Sequence, residues 1–256
     1  MIKSLLEKKK MPLVMGILNA TPDSFYAKSR MESAAFLEES GADIIDVGAE
    51  STRPGFTAVS EDEELRRLIP VVREIRRHSS IPISVDTRKG SVAKVALEEG
   101  ADIINDVSAA TYDLSTIEIV KKYKCDIILM HGVENIPVCS YLTERAKTLE
   151  KCGVDSDKIV LDPGFGFYKD TEQNIAVLNN LEELAHLGYP LLVGVSRKRF
   201  IGAITGRDVE DRLAGTLAVN ALAAMRGADI LRVHDVRETV DMLMILKAGG
   251  SFGKFD

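Results

Sequence analysis

The sequence predicts a single-domain α/β protein, a (β/α)8 TIM barrel, and three observations carry that prediction. The first is a repeated string. Gly-Ala-Asp, two aliphatic residues and a polar one occur at 41–46, 100–105 and 227–232, ending in Asp46, Asn105 and Arg232. Each copy follows an amphipathic stretch, so its glycine suits the left-handed residue that closes a helix. Its aliphatic pair suits a short buried strand. The second observation is spacing. Gly100 lies 59 residues after Gly41, and Gly227 lies 127 after Gly100. At roughly 30 residues per strand–helix unit, these intervals hold about two and about four units, so the copies introduce the second, fourth and eighth strands. The third is length, since 256 residues match the ~250 of a closed eight-unit barrel.

Eight apolar runs of strand length follow in order, at Leu13–Leu18, Ile44–Val47, Ile81–Val85, Ile103–Ile104, Asp126–Met130, Ile159–Leu161, Leu191–Val195 and Ile230–Val233. They lack clean alternation, as do parallel strands buried on both faces. Helical segments fall between them. Ser60 with Glu63 predicts a capping box, and Leu65, Leu68, Ile69, Val72 and Ile75 continue at helical spacing, with Pro70 marking a kink or break. Leu213, Leu217, Ala221 and Ala224 stripe another helix closed by Gly227. No linker or composition shift divides the chain, so residues 1–256 read as one domain with a barrel core at about 11–250.

Composition narrows the classes. Hydrophobic residues make up 45% of the chain, enough for a full core, and the net charge of −6 argues against non-specific nucleic-acid binding. No stretch approaches the ~20 apolar residues of a membrane span, and the N-terminus has no signal-peptide run. The three cysteines, Cys125, Cys139 and Cys152, form no CxxC pair. They point to a reducing compartment, the cytoplasm, without zinc or a disulfide framework.

Barrel active sites lie at the C-terminal ends of the strands, so the residues after each run matter most. Asn19-Ala20-Thr21-Pro22-Asp23-Ser24-Phe25 follows the first; by itself it reads as a turn. Asp46 and then Glu50-Ser51-Thr52-Arg53-Pro54-Gly55 follow the second, a rigid turn carrying a bidentate anion binder. Asp86-Thr87-Arg88 and Asn105-Asp106 end the third and fourth. Asp86 either pairs with Arg88 or caps a helix, or with Asn105 reads the edge of a polar heterocycle. His131 after the fifth run reads as structural. Asp162-Pro163-Gly164-Phe165-Gly166-Phe167 offers a fixed carboxylate, a weak glycine pattern for a phosphate loop, and a ring, Phe165, that either stacks on a flat ligand or packs the loop. Ser196-Arg197-Lys198-Arg199 and Arg232-Val233-His234-Asp235 end the last two. Lys198, Arg232 and His234 sit where barrels commonly hold phosphate, beside loop donors and a helix N-terminus. Acceptors on one side of the mouth and cations on the other suit a flat, donor-rich heterocycle bearing a phosphate or diphosphate.

The motifs MGILNATPDSF, DVGAESTRPG, VDTRK, INDVSA, LDPGFGF, GVSRKRFIG and LRVHDV, in that order, resemble the dihydropteroate synthases of folate biosynthesis from about Met11 to about Lys247. The resemblance implies a transferase joining 6-hydroxymethyl-7,8-dihydropterin diphosphate to p-aminobenzoate, with Mg²⁺ as cofactor and a homodimer as assembly. It implies that Asp86, Asn105, Asp162 and Lys198 hold the pterin, and that Arg232 lies over its face and takes the diphosphate with His234. It further implies that Asn19 helps coordinate Mg²⁺, and that Thr52, Pro54, Phe165 and Arg199 shape the p-aminobenzoate site. Asp23, Phe25 and Arg53 would lie in two mobile loops that close over the reactants. Three departures stand out. Tyr26-Ala27-Lys28-Ser29-Arg30 replaces a Ser-Asp-Gly-Gly stretch, Met130-His131-Gly132 abbreviates the fifth loop, and Arg199 stands where relatives often carry Ser. They bear on aminobenzoate and sulfonamide affinity more than on pterin binding. Methyltetrahydrofolate-dependent methyltransferases share the barrel and the pterin-reading carboxylates, but need neither the TPDSF loop nor the Ser-Arg-Lys and Arg-Val-His pair. A catalytically silent pterin-binding relative is the rival of another class. Asp46 is left without a ligand and is expected to support Arg53 or a neighbouring loop.

Overall fold

In a computed structural model, which describes residues 1–20, 27–49 and 59–252, the chain alternates strand and helix as the repeat predicts. Among the described residues the order is α1 (Ile2–Lys9), β1 (Leu13–Asn19), α2 (Ala27–Glu39), β2 (Ile44–Gly48), α3 (Glu61–His78), β3 (Ile83–Asp86), α4 (Gly90–Glu98) and β4 (Ile103–Asp106). Then come α5 (Ser115–Tyr123), β5 (Asp126–Met130), α6 (Val138–Lys151), β6 (Ile159–Asp162), α7 (Thr171–Asn179) and α8 (Leu181–Ala185). The chain ends with β7 (Leu192–Val193), α9 (Arg199–Thr205), α10 (Leu213–Met225), β8 (Ile230–Val233) and α11 (Val236–Ala248). The strands form one parallel sheet in the order β6-β5-β4-β3-β2-β1-β8-β7. Between β6 and β7 the ring closes through the isolated Leu161–Leu191 bridge and a hydrogen bond from the Leu161 amide to the Pro190 carbonyl at 2.9 Å. No described helix is long and apolar enough to cross a membrane.

The Gly-Ala-Asp copies are three identical joints. Gly41, Gly100 and Gly227 take φ values of +97°, +109° and +98°. Each glycine amide and the alanine amide after it donate back to the helix end, as from Gly41 to Glu38 and from Ala42 to Leu37, which is the Schellman closure. The aspartate then grips the preceding strand twice. The Asp43 amide donates to the Val14 carbonyl while its carboxylate accepts from the Val14 amide, and Asp102 with Ile83 and Asp229 with Leu191 repeat the arrangement. Each joint therefore fixes the height of an even strand against its odd neighbour.

Strand alternation then sorts the interior. Ile44, Ile103, Val160 and Ile230, one from each even strand, share a buried apolar cluster with Leu13, Met15, Ile128 and Leu192. Ile2 and Leu6 of α1 belong to the same cluster and close the barrel floor, so the core begins earlier than residue 11. Two residues on, facing the same interior, stand Asp46, Asn105, Asp162 and Arg232.

Two local expectations change. Of the kink or break expected at Pro70, the break does not occur: Pro70 lies inside α3, which runs on past it, and its side is exposed, where water can take the carbonyl that loses its amide partner. Ser60 accepts from the Glu63 amide at 3.3 Å, but the Glu63 side chain is taken by Arg66 and Arg67, so only half of the capping box forms there. A full box instead joins Asp170 and Gln173 at the start of α7.

Candidate active site

The strand ends converge on a concavity lined by Asp86, Asn105, Val107, Met130, Asp162, Phe167, Gly194, Lys198 and Arg232. At its base Arg232 bridges two carboxylates. Its Nε donates to Asp46 Oδ2 at 2.6 Å and its Nη2 to Asp86 Oδ2 at 3.1 Å. Asp46 is fully buried and also accepts from Ser84 Oγ at 2.5 Å and from Asn105 Nδ2 at 3.3 and 3.4 Å. The sixth residues of the three Gly-Ala-Asp copies thus meet in one cluster. The supporting role expected of Asp46 is directed at Arg232. Arg53 lies outside the described residues, as do Asp23, Phe25, Thr52 and Pro54.

The cluster fixes what the pocket offers. A carboxylate only accepts, so Asn105 must turn its NH₂ to Asp46 and its carbonyl oxygen elsewhere. Asp86 Oδ1 is buried with no partner among the described residues. Asp162 receives the Gly164 amide on Oδ1 at 2.7 Å. Three acceptors therefore line one wall, and a ligand meeting them must present N–H groups. Asp86 pairs with Arg232 rather than with Arg88, whose guanidinium lies 4.3 Å from the Tyr112 ring centroid.

The charges are strained by burial, which penalises ionised forms. Burial pushes the Asp86 carboxyl up to about 7; Arg232 pulls it back, while Asp46, Asp106 and Glu64 add to the rise. Burial raises Asp162 too, against the pull of Lys198 and the Gly164 amide. The Lys198 ammonium drops to about 8 because burial outweighs Asp162.

Three successive cations after β7 separate. Arg197, at φ +56°, turns from the mouth and forks onto Asp235 at 2.9 and 2.6 Å, tying together the loops after β7 and β8. Lys198 enters the mouth, bonds the Phe165 carbonyl and lies 4.7 Å from the Phe167 ring centroid. Arg199 opens α9 and is exposed. Ser196 Oγ lies at hydrogen-bond distance, 3.0 Å, from His234 Nδ1 and also accepts from the His234 amide at 3.2 Å. Asn19 ends β1 with an exposed side chain.

Phe165 is turned into the core rather than to the mouth. Its ring is fully buried and stacks on Phe200 at 6.1 Å, and Phe167 is the aromatic residue that lines the pocket. The Gly-x-Gly pattern is a bend, not a phosphate cradle. The Gly164 and Gly166 amides are taken by Asp162 and by Asn174 Oδ1, each at 2.7 Å. Both glycines have positive φ, and a Cβ on Gly164 would lie 2.1 Å from the His131 carbonyl. His131 is structural, donating from Nε2 to the Ile136 carbonyl at 2.9 Å and accepting Lys169 Nζ on Nδ1 at 3.0 Å. Lys169 also bonds the Gly164 and Phe167 carbonyls, clamping the β6 loop to the end of β5. Phe167 stood in the quoted motif without a binding role, and Val107, Ser84 and Lys169 escaped the sequence reading. Counting in twos from Ile103 through Asn105 would have reached Val107, and the register pairing Asp46 with Ser84 would have reached Ser84, but no such step reaches Phe167 or Lys169.

No group of three or more His, Cys, Asp or Glu side chains that could hold a metal ion occurs among the described residues. The concavity at the opposite end, lined by Met1, Leu97, Asp102, Cys125, Asp126 and Lys158 among others, is a different kind of place. Its buried carboxylate, Asp126, is already met by the Met1 amine, the Ile2 amide and Lys158.

Comparison with known proteins agrees with this geometry. The family model described as pterin binding enzyme matches residues 15–234. A dihydropteroate synthase of Bacillus subtilis is 44% identical, the alignment covering 96% of this chain and 91% of that protein. The solved dihydropteroate synthase of Xanthomonas albilineans with 4-aminobenzoic acid superposes with a TM-score of 0.89 at 42% identity, covering 94% of this chain and 93% of that one. A structure of the enzyme from the same organism in complex with 7,8-dihydropteroate gives 0.87 at 40% identity, with coverage of 94% and 93%.

Proposed function

Because the chain belongs to the dihydropteroate synthase family of pterin-binding transferases, we propose that it joins 6-hydroxymethyl-7,8-dihydropterin diphosphate to p-aminobenzoate, releasing pyrophosphate and 7,8-dihydropteroate. The observation that carries this reading is the wall of acceptors formed by Asp86, Asn105 and Asp162, opposite Lys198 and Arg232. A pterin edge presents an amino group and ring N–H groups, the donors that such a wall requires.

The chemistry asks little covalent work of the protein. The diphosphate departs from a methylene attached to an electron-rich ring, which spreads the positive charge left behind. Arg232 and His234 stand where negative charge grows on the leaving group, and Lys198 holds the ring. Such prearranged charges stabilise the transition state more than the ground state. The aryl amine, held close, then attacks that methylene carbon as a neutral nucleophile, and the nitrogen releases one proton to water or to the departed pyrophosphate. Asn19 offers a neutral oxygen at the rim, and Mg²⁺ commonly takes one or two protein oxygens with substrate phosphates and water, so this donor fits an ion that arrives with the diphosphate. When bound, Mg²⁺ would supply charge neutralisation to the leaving group. Thr52, Pro54 and Arg199 are proposed to border the p-aminobenzoate, with Asp23, Phe25 and Arg53 in the covering loops.

The deciding assay incubates the protein with Mg²⁺, the pterin diphosphate and p-aminobenzoate and measures pyrophosphate. Release dependent on both substrates is expected. Pterin binding without release would overturn the catalytic reading, and methyl transfer to a corrinoid would assign the barrel to the methyltransferases. We also propose a homodimer through α10 and α11, which pack together and expose Leu222, Met225, Met244 and Ile245. Sedimentation should give twice the chain mass, and a monomer at micromolar concentration would refute it. The cysteines are free, which supports a reducing compartment, the cytoplasm.

A further inference from the structure

We infer that Asp46 is the positioning residue of the pterin site, a carboxylate that never meets substrate yet sets the orientation of two groups that do. The inference rests on the pterin reading above and adds a residue to it. Asp46 is fully buried, and its oxygens are shared among Ser84 Oγ, Asn105 Nδ2 and Arg232 Nε. Without an acceptor there, the Asn105 amide has no reason to keep its carbonyl toward the pocket. Arg232 would also lose the contact that divides it between two strands, and its guanidinium would fall wholly to Asp86. That would occupy the acceptor the ligand needs. One buried oxygen pair therefore keeps the wall accepting and the cation available.

A purely structural role predicts a general loss of folded protein, whereas positioning predicts a selective one. In Asp46→Asn the side chain carries its own NH₂, which cannot face that of Asn105, so one amide must turn. KM for the pterin diphosphate should rise about 10- to 100-fold, the range of a lost charge-assisted hydrogen bond, while KM for p-aminobenzoate stays within about threefold. The pH profile should move as well. The charged groups around Asp86 are Asp46, Arg232, Asp106, Glu64 and Lys198. Removing the negative neighbour and giving Arg232 wholly to Asp86 both favour the Asp86 carboxylate, so the acid limb of pterin binding should shift to lower pH. Asp46→Glu keeps the charge but displaces the oxygens by one methylene. It should leave the acid limb in place while raising the pterin KM. Wild-type pterin KM and an unmoved acid limb in folded Asp46→Asn would overturn the inference. If that variant does not fold, wild-type pterin KM in Asp46→Glu would do so. The wild-type protein is assayed first with both substrates; its failure to use pterin diphosphate would sink the proposed function instead.

Discussion

Ile44, Ile103, Val160 and Ile230 lie one pleat below Asp46, Asn105, Asp162 and Arg232 on the same four strands, yet the two layers do opposite work. The lower set is apolar, belongs to one buried cluster and is closed beneath by Ile2 and Leu6. The upper set is polar, three of its four side chains charged, with Asp46 fully enclosed, Asn105 and Asp162 buried and Arg232 half-buried. A buried charge costs several kcal/mol even after relaxation, by the usual order of magnitude, and the shifted carboxyls of Asp86 and Asp162 register that cost. The contrast teaches that stability and chemistry share strands without sharing layers, so substitutions one pleat apart should separate them.

The largest expected effect is in the lower layer. Ile103→Ala should cost about 2–5 kcal/mol of stability, read as a lowered denaturation midpoint, while kcat/KM of the folded fraction stays within about threefold. A comparable loss of kcat/KM in fully folded protein would erase the division. Lys198→Ala and Arg232→Ala invert the pattern. Each should remove about 2–4 kcal/mol of transition-state stabilisation, by analogy with a lost oxyanion donor. Wild-type kcat/KM in either would remove that residue from the role given to it.

The pH dependence sharpens the upper layer. Asp86 is raised in the folded protein to about 7, so between about 4 and about 7 the folded state binds more protons than the unfolded one. Its contribution to stability therefore falls as pH rises through that window, by at most ~1.4 kcal/mol per pH unit for one proton. Lys198 is lowered to about 8, and its contribution rises from about 8 toward 10.5. In the proposed site pterin binding would require Asp86 ionised and Lys198 charged, so affinity should peak between about 7 and about 8. Asp86→Asn should remove the Asp86 share of the acid limb and flatten the falling stability slope, of which Asp162, raised in the same direction, keeps a part; a slope unchanged in that variant would show that Asp86 does not carry it.

Smaller effects test where the layers touch the loops. Gly166→Ala forces a residue with a side chain to φ +74° and brings its Cβ within 2.9 Å of Lys198 Cδ. It should cost about 1–2 kcal/mol of stability and weaken pterin binding, because the displaced atoms belong to Lys198, the side chain proposed to hold the ring. Gly41→Ala places the same backbone demand at a floor joint where Val240 is the neighbour, with its Cβ 3.2 Å from Val240 Cγ2. A loss of about 1–2 kcal/mol with unchanged pterin affinity is expected from a thermal melt and a binding titration.

Much of the scaffold was legible because its signals are local. The repeated joints, the unalternating apolar runs and the strand-end polar residues each lie within a few neighbours in sequence. Asp86, Asn105, Asp162, Lys198 and Arg232 could be named because they stand at strand ends. The partners of Asp46 were not legible, because its contacts with Arg232 and Asn105 span 186 and 59 positions and depend on the stagger of three strands. Phe165 and Phe167 were likewise indistinguishable in sequence; the turn at Gly164 and Gly166 decides which ring faces in. The floor helix α1 escaped because short helices owe their stability to packing rather than to propensity.

The seam between β6 and β7 gives the barrel a mechanical asymmetry. Seven junctions are laced by continuous ladders, and this one by a lone bridge beside a strand of two residues. Asp162 stands on one lip of that gap and Lys198 on the other. A heterocycle gripped by both spans the opening like a stave hoop, supplying from outside the cross-link the backbone omits. Amide hydrogen exchange along Ile159–Asp162 and Leu192–Val193 would then slow on binding more than in the fully laced strands β1 and β2, and the empty enzyme would breathe along a single line.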